Sequence, residues 1–184
     1  MASELRVDRI SPVNGIANVT QNLGGNAGGG IIQVIHSNTK GQTFASAESS
    51  TSTFIATGIE ASITPKRSDN KILIIANPNV MSYNSSSNQA AGSIKIMRSI
   101  DGAAYTECSP IQIGTQVGYY DYGGSGIMGY NNISLIGVDE PNTTSVVTYQ
   151  FYVKRLSGTG IRLGYQLTGD IGSNSFFTLM EIAG

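Results

Sequence analysis

The 184-residue chain has no tryptophan, a single cysteine, a single histidine and five prolines, and only 12% of its residues are charged. Each shortage removes a class of chemistry. With Cys108 alone no internal disulfide can form, and its low-charge surroundings offer nothing to activate a thiolate, so it is expected as a small core or edge residue. A metal site needs several His, Cys or carboxylates converging; His36, ending a strand-like run, is expected to pair or pack rather than to ligate, and no cofactor is expected. A net charge of −1 with no basic run gives nucleic acid no electrostatic footprint. Hydrophobic runs are short as well: none approaches the ~18 residues of a membrane span. The opening Met-Ala-Ser-Glu-Leu-Arg-Val-Asp-Arg carries charges where a signal peptide is apolar. A soluble protein made inside a cell is expected, without membrane insertion. On that reading the glycosylation-like triplets at Asn18, Asn84, Asn132 and Asn142 are chance products of a chain rich in Asn, Ser and Thr.

What is present is strand-forming. Isoleucine outnumbers leucine 22 to 8 and glycine reaches 23, the balance of β-strands joined by tight turns. From Ile31 onward short runs arrive at sandwich spacing: Ile31 to His36, Phe54 to Ile63, then Lys71 to Ala76 after the turn at 66–70. Ile72-Leu73-Ile74-Ile75-Ala76 is continuously apolar and predicts a strand at the centre of the fold. Asn77 to Gln89 is polar and reads as a surface loop. Ile94, Ile96 and Arg98 share a face, and Asp101-Gly102 predicts a hairpin into Ala103 to Cys108. Val147, Tyr149, Phe151 and Val153 are expected inward in the clearest alternation of the chain, with Ser157-Gly158-Thr159-Gly160 leading across a hairpin to Ile161, Leu163, Tyr165 and Leu167. No window of eleven residues has a helical period. The expected fold is an all-β antiparallel sandwich of about eight to ten strands, the number a jelly roll uses.

No catalytic constellation is visible. Gly124-Ser125-Gly126 lies in a Gly/Tyr stretch rather than on a strand-to-helix turn, and Asp69, Asp101, Asp139, Glu140 and Asp170 all fall in predicted turns, where Asp has a structural reason to be. The glycines from Gly24 to Gly30 precede a strand and no helix follows, so they cannot cradle a phosphate. The chain is expected not to be an enzyme.

Three regions carry interaction potential. Residues 1–30 form a candidate arm: Leu5 and Val7 alternate with Arg6 and Asp8, a turn follows Ile10 at Pro12 to Ile16, and a Gly-rich linker follows Leu23. Such an arm docks by adding a strand to a partner's sheet, or is a loose tail. The stretch Val117 to Asn132 holds Tyr119, Tyr120, Tyr122 and Tyr130 among five glycines; it reads as a contact loop for a sugar or protein, or as strand faces packed between subunits. The final strand is apolar on both faces, with Phe176, Met180 and Ile182 pointing one way and Phe177 and Leu179 the other. A lone sandwich needs one apolar face, so the second asks for cover: a copy of the same chain, which would gain roughly 1.5 to 3 kcal/mol from each of Phe177 and Leu179, or a loop or Arg stem.

The stretches Leu5-Arg6-Val7-Asp8-Arg9-Ile10, Gly29-Gly30-Ile31-Ile32-Gln33-Val34-Ile35 and Phe177-Thr178-Leu179-Met180-Glu181-Ile182-Ala183-Gly184 resemble fibre and virion structural proteins of tailed bacteriophages, particularly those of cyanobacteria and aquatic bacteria. The pattern Thr-Gly-Ile, Ser-Ile-Thr-Pro, Lys-Ile-Leu-Ile between Phe54 and Ile75 is similar to that group, and the pieces occur in the expected order. The resemblance implies a virion-anchoring arm at residues 1–30, through Leu5, Arg6, Val7, Asp8 and Ile10, bound to a tail, baseplate or capsid protein. It implies a homotrimeric head at 31–184, a jelly roll like those of C1q and tumour necrosis factor, with Phe176, Phe177, Leu179, Met180 and Ile182 near the threefold axis. It implies host-surface attachment to a glycan or protein, and no catalytic motif. Many such fibres have long shafts, and this chain has only a brief linker. The alternatives are a capsid decoration or cement knob, a free carbohydrate-binding module and, as a third class, a surface-glycan depolymerase.

Overall fold

The computed structural model describes residues 30–38, 47–86, 89–110, 112–120, 127–164 and 175–184. Among these residues there is no helix, and every strand pairing is antiparallel. The strands are β1 (Ile31–Asn38), β2 (Ala47–Ser49), β3 (Ile55–Ile63), β4 (Lys71–Asn77), β5 (Asn79–Asn84), β6 (Gln89–Ile100), β7 (Thr106–Glu107), β8 (Gly114–Tyr120), β9 (Ile127–Asn132), β10 (Leu135–Asp139), β11 (Val147–Ser157), β12 (Gly160–Leu163) and β13 (Phe176–Ile182).

They form sheets in the orders β1-β13-β4-β10, β2-β12-β5-β9 and β3-β11-β6, with β7 and β8 both on the far side of β6. The first two sheets continue one another. The register of β4 on β10, from Ile72 opposite Asp139 to Ala76 opposite Leu135, carries on unchanged into β5 on β9, from Asn79 opposite Asn132 to Asn84 opposite Ile127. Only Pro78 interrupts that ladder, because it has no N–H to donate; its carbonyl still accepts from Ile133 N at 3.3 Å. Likewise β12 ends opposite Val80 and β13 begins opposite Asn77. The result is one four-position layer facing the layer of β3, β11, β6 and β7/β8.

Period-two burial joins the layers. Val147, Tyr149, Phe151 and Val153 of β11 are all fully buried, as their alternation predicts, and Phe151 stacks on Phe177 of β13 with centroids 4.2 Å apart. At the other end Ile161 of β12 fills the space over Gly92 of β6, where a Cβ would fall 2.3 Å from Ile161 Cδ1. The Asp101-Gly102 turn takes positive φ at both residues, 54° and 75°, the conformation of a tight hairpin, and β7 pairs back on β6 at Met97 and Arg98.

Three local expectations are corrected. The polar segment from Asn77 to Gln89 contains a strand, β5, whose Val80 and Met81 are fully buried. Both of its Asn amide nitrogens have local partners, Asn79 Nδ2 donating to Asn132 Oδ1 at 2.7 Å and Asn84 Nδ2 to Gln89 O at 2.8 Å, and low strand propensity is overridden by strand pairing on both sides. The turn at 157–160 does not fold β12 back on β11 but passes it to the opposite layer, where it pairs with β2 and β5. Asp139 is no turn residue: it ends β10 with no exposed surface.

Asp139 and Glu181 flank Ile72 in one inward row that closes an end of the sandwich. Glu181 accepts from Lys66 N (2.6 Å), Asn70 Nδ2 (2.5 Å) and Gln33 Nε2 (2.6 Å), which ties β1 and β13 to the turn before β4. Asp139 accepts from Arg98 Nη1 (2.7 Å), Ser109 N (2.7 Å) and Tyr149 OH (2.8 Å). Both carboxylates are satisfied by fixed donors, the condition under which buried charge is tolerated.

Candidate functional site

The outer face of the β1-β13-β4-β10 sheet has no element packed on it within the described residues. Direct cross-strand pairing sets its side chains in rows: Val34, Met180, Leu73 and Val138; then His36, Thr178, Ile75 and Ile136. Ile31 and Ile182 begin a further row in which Lys71 meets Glu140 in an ion pair of 2.7 Å. At the opposite end Phe176 packs its ring 5.5 Å from that of His36, and Asn77 Nδ2 donates to Ser134 Oγ at 2.8 Å. Ile136 is 65% exposed, Ile31 54% and Val34 50%. These apolar residues are contiguous across four strands rather than scattered singly. His36 lies within this face, its Nδ1 3.0 Å from Thr178 Oγ1.

The final strand is apolar on both sides, but the sides are the reverse of the expectation. Phe177 and Leu179, expected to meet their own copies, are 1% and 0% exposed in the chain's own core. Phe176, Met180 and Ile182 are half-buried on the outer face and remain available to a partner. With both faces apolar, nothing local in the strand says which is inward; Phe151, on another strand, decides it by stacking on Phe177.

Tyr119 and Tyr130 lie on strands rather than in a loop, and both are exposed. Tyr119 leans over β9, where a Cβ on Gly129 would fall 2.7 Å from its own Cβ, while Tyr130 points to the opposite side of β9 from Gly129. The two therefore do not converge on one patch. Tyr120 ends β8 opposite Gln89. Tyr122 and the arm residues Leu5, Arg6, Val7, Asp8 and Ile10 lie outside the described residues.

No group of three or more His, Cys, Asp or Glu is placed to hold a metal among the described residues. Burial pushes the Cys108 thiol from its ordinary 9.0 up to about 12, and the nearby Asp139 charge adds to the effect. Burial, then the hydrogen bond from its hydroxyl to Glu60 at 3.0 Å, raises Tyr105 from 10.0 to about 12. Cys108 is therefore expected to resist a thiol reagent in the folded protein at pH 8 and to react fully in denaturant. Both groups hold their protons more tightly folded than unfolded, so stability is fully present below about pH 9 and falls as pH rises toward 12. Melting temperatures across that range check the sign.

These features define an antiparallel all-β domain with one broad apolar sheet face turned outward. The sequence matches no family model and no curated protein.

Proposed function

We propose that the chain is a non-enzymatic structural protein of a tailed-bacteriophage virion: a short homotrimeric fibre, anchored to another virion protein by residues 1–30, whose head, 31–184, attaches to the host surface. The observation that carries the reading is the apolar outer face formed by Val34, Met180, Leu73, Val138, Ile75 and Ile136. Its one ion pair, Lys71 with Glu140, is neutralised within the chain, so the face offers no net charge for an oppositely charged partner to complement. Charge-poor, apolar patches are what subunits of one protein bury against each other, and the occupant proposed is a second and third copy of this chain.

The strand order supports the jelly-roll form of this head. Taking β1/β2, β4/β5, β7/β8, β9/β10 and β12/β13 as single positions, the layers run first-eighth-third-sixth and second-seventh-fourth-fifth. Two interleaved Greek keys of this kind make a jelly roll. Three copies on one rigid head would turn weak surface contacts into avid attachment. Light scattering of the purified chain is expected to give three times the 19.3 kDa chain mass. A monomer would overturn the reading in favour of a free binding module.

A further inference from the structure

The outer face of the other layer holds a groove of about 310 Å³ lined by Phe54, Ser93, Lys95, Gln112, Gln116 and Lys154, with Gly114 and Thr115 completing its wall. Ser93 is its floor: it alternates outward between the inward Gly92 and Ile94, yet is only 5% exposed because longer side chains stand around it. Ser93 is paired with Gln116 on one side and Lys154 on the other, and Lys95 with Gly114. Gly114 keeps that wall low, since a Cβ there would lie 2.9 Å from Lys95 Cβ and 2.8 Å from Ile94 O.

The charge arrangement is asymmetric. The ammonium groups of Lys95 and Lys154 sit 4.3 Å and 4.8 Å from the centre of the same Phe54 ring, which holds cations without neutralising them. Lys95 also pairs with Glu107 at 2.8 Å, and Glu107 in turn accepts from Gln112 Nε2 at 2.7 Å. Lys154 has no carboxylate within ion-pair reach among the described residues, and the groove is left with one uncompensated positive charge.

We propose that this groove binds a single sugar acid, its carboxylate on Lys154 and its hydroxyls on Gln112 and Gln116. One excess charge matches a monocarboxylate better than a phosphate dianion or a polyanion. An apolar acid would displace water from the exposed Gln116 amide and the Gln112 carbonyl without replacing its hydrogen bonds, whereas a hydroxyl-bearing ring replaces them. The volume is at the small end for ligand pockets, so one ring is held rather than a chain. The assignment deepens the attachment reading and rests on it for its purpose, though not for its chemistry. Light scattering tests the trimer, and ligand titration tests the groove, so either can fail alone.

The experiment titrates the assembled full-length protein with galacturonate, galactose and inorganic phosphate, following backbone amide resonances. Galacturonate is expected to shift Ser93, Lys95, Gly114 and Gln116 saturably, at least about tenfold more tightly than galactose or phosphate, and Lys154→Gln to weaken it about tenfold, the size of one charge-assisted hydrogen bond. Lys154 is only partly covered, and an unchanged spectrum of the variant outside the groove verifies its fold. Equal binding of galactose or phosphate, no saturable shift, or undiminished binding by Lys154→Gln would overturn the proposal.

Discussion

Met180→Asp is expected to leave the sandwich folded and separate its copies, while the same charge one residue earlier, Leu179→Asp, is expected to unfold the chain. Met180 stands on the outer face between Val34 and Leu73, so a carboxylate there stays hydrated in the isolated chain. In the proposed trimer it would replace about 1.5 to 3 kcal/mol of apolar burial per copy with a desolvated charge repeated by symmetry. Leu179 has no exposed surface and belongs to the central cluster with Phe177 and Phe151. Removing its packing costs about 2 to 5 kcal/mol, and an unpaired buried carboxylate adds several more. Their sum is comparable to the whole stability of a domain, about 5 to 15 kcal/mol. Light scattering and circular dichroism read the two variants. If Met180→Asp keeps the mass of the wild-type oligomer, the outer face is not where the copies meet.

Asp139→Ala is expected to destabilise the fold by about 3 to 5 kcal/mol, the range for removing one partner of a buried ion pair. Burial works against the Arg98 charge, and the hydrogen bond and charge of Asp139 outweigh it, so the guanidinium pKa is held above its ordinary value. Without Asp139 the guanidinium keeps only its 3.3 Å bond to Glu140 O among the contacts that Nη1 makes, and Ser109 N and Tyr149 OH lose their acceptor. Tyr149→Phe removes one donor of three and is expected to cost only about 1 kcal/mol. Urea denaturation at neutral pH separates the two. Equal, small effects would mean that water replaces the carboxylate and that this end of the sandwich is not sealed.

The parts of the fold that were legible in the sequence are those governed by neighbours along the chain. Alternation placed Val147, Tyr149, Phe151 and Val153 inward, continuous apolarity placed β4 between two other strands, and Asp101-Gly102 marked a turn whose backbone needs positive φ. What failed was governed by neighbours across space. β5 was hidden because Asn and Ser rank low as strand formers, and only the backbone ladders to β12 and β9 on its two sides hold it as a strand. Asp139 was read through its own segment as a turn residue and Glu181 stood out in no pattern, because their donors come from Arg98, Ser109 and Tyr149 in one case and from Gln33, Lys66 and Asn70 in the other. The groove draws on Phe54, Ser93, Gln116 and Lys154, which are too far apart in sequence for any motif to register.

From sequence alone, the chain is a β protein with one more apolar strand face than a lone sandwich requires, because side-chain alternation and composition are local properties. Tertiary structure decided which face that is. Phe177 and Leu179 go to the core because Phe151 and β4 meet them there, and the outward surface passes to Met180, Phe176 and Ile182 together with strands β1, β4 and β10. A strand apolar on both sides has no inside until another layer is packed against it.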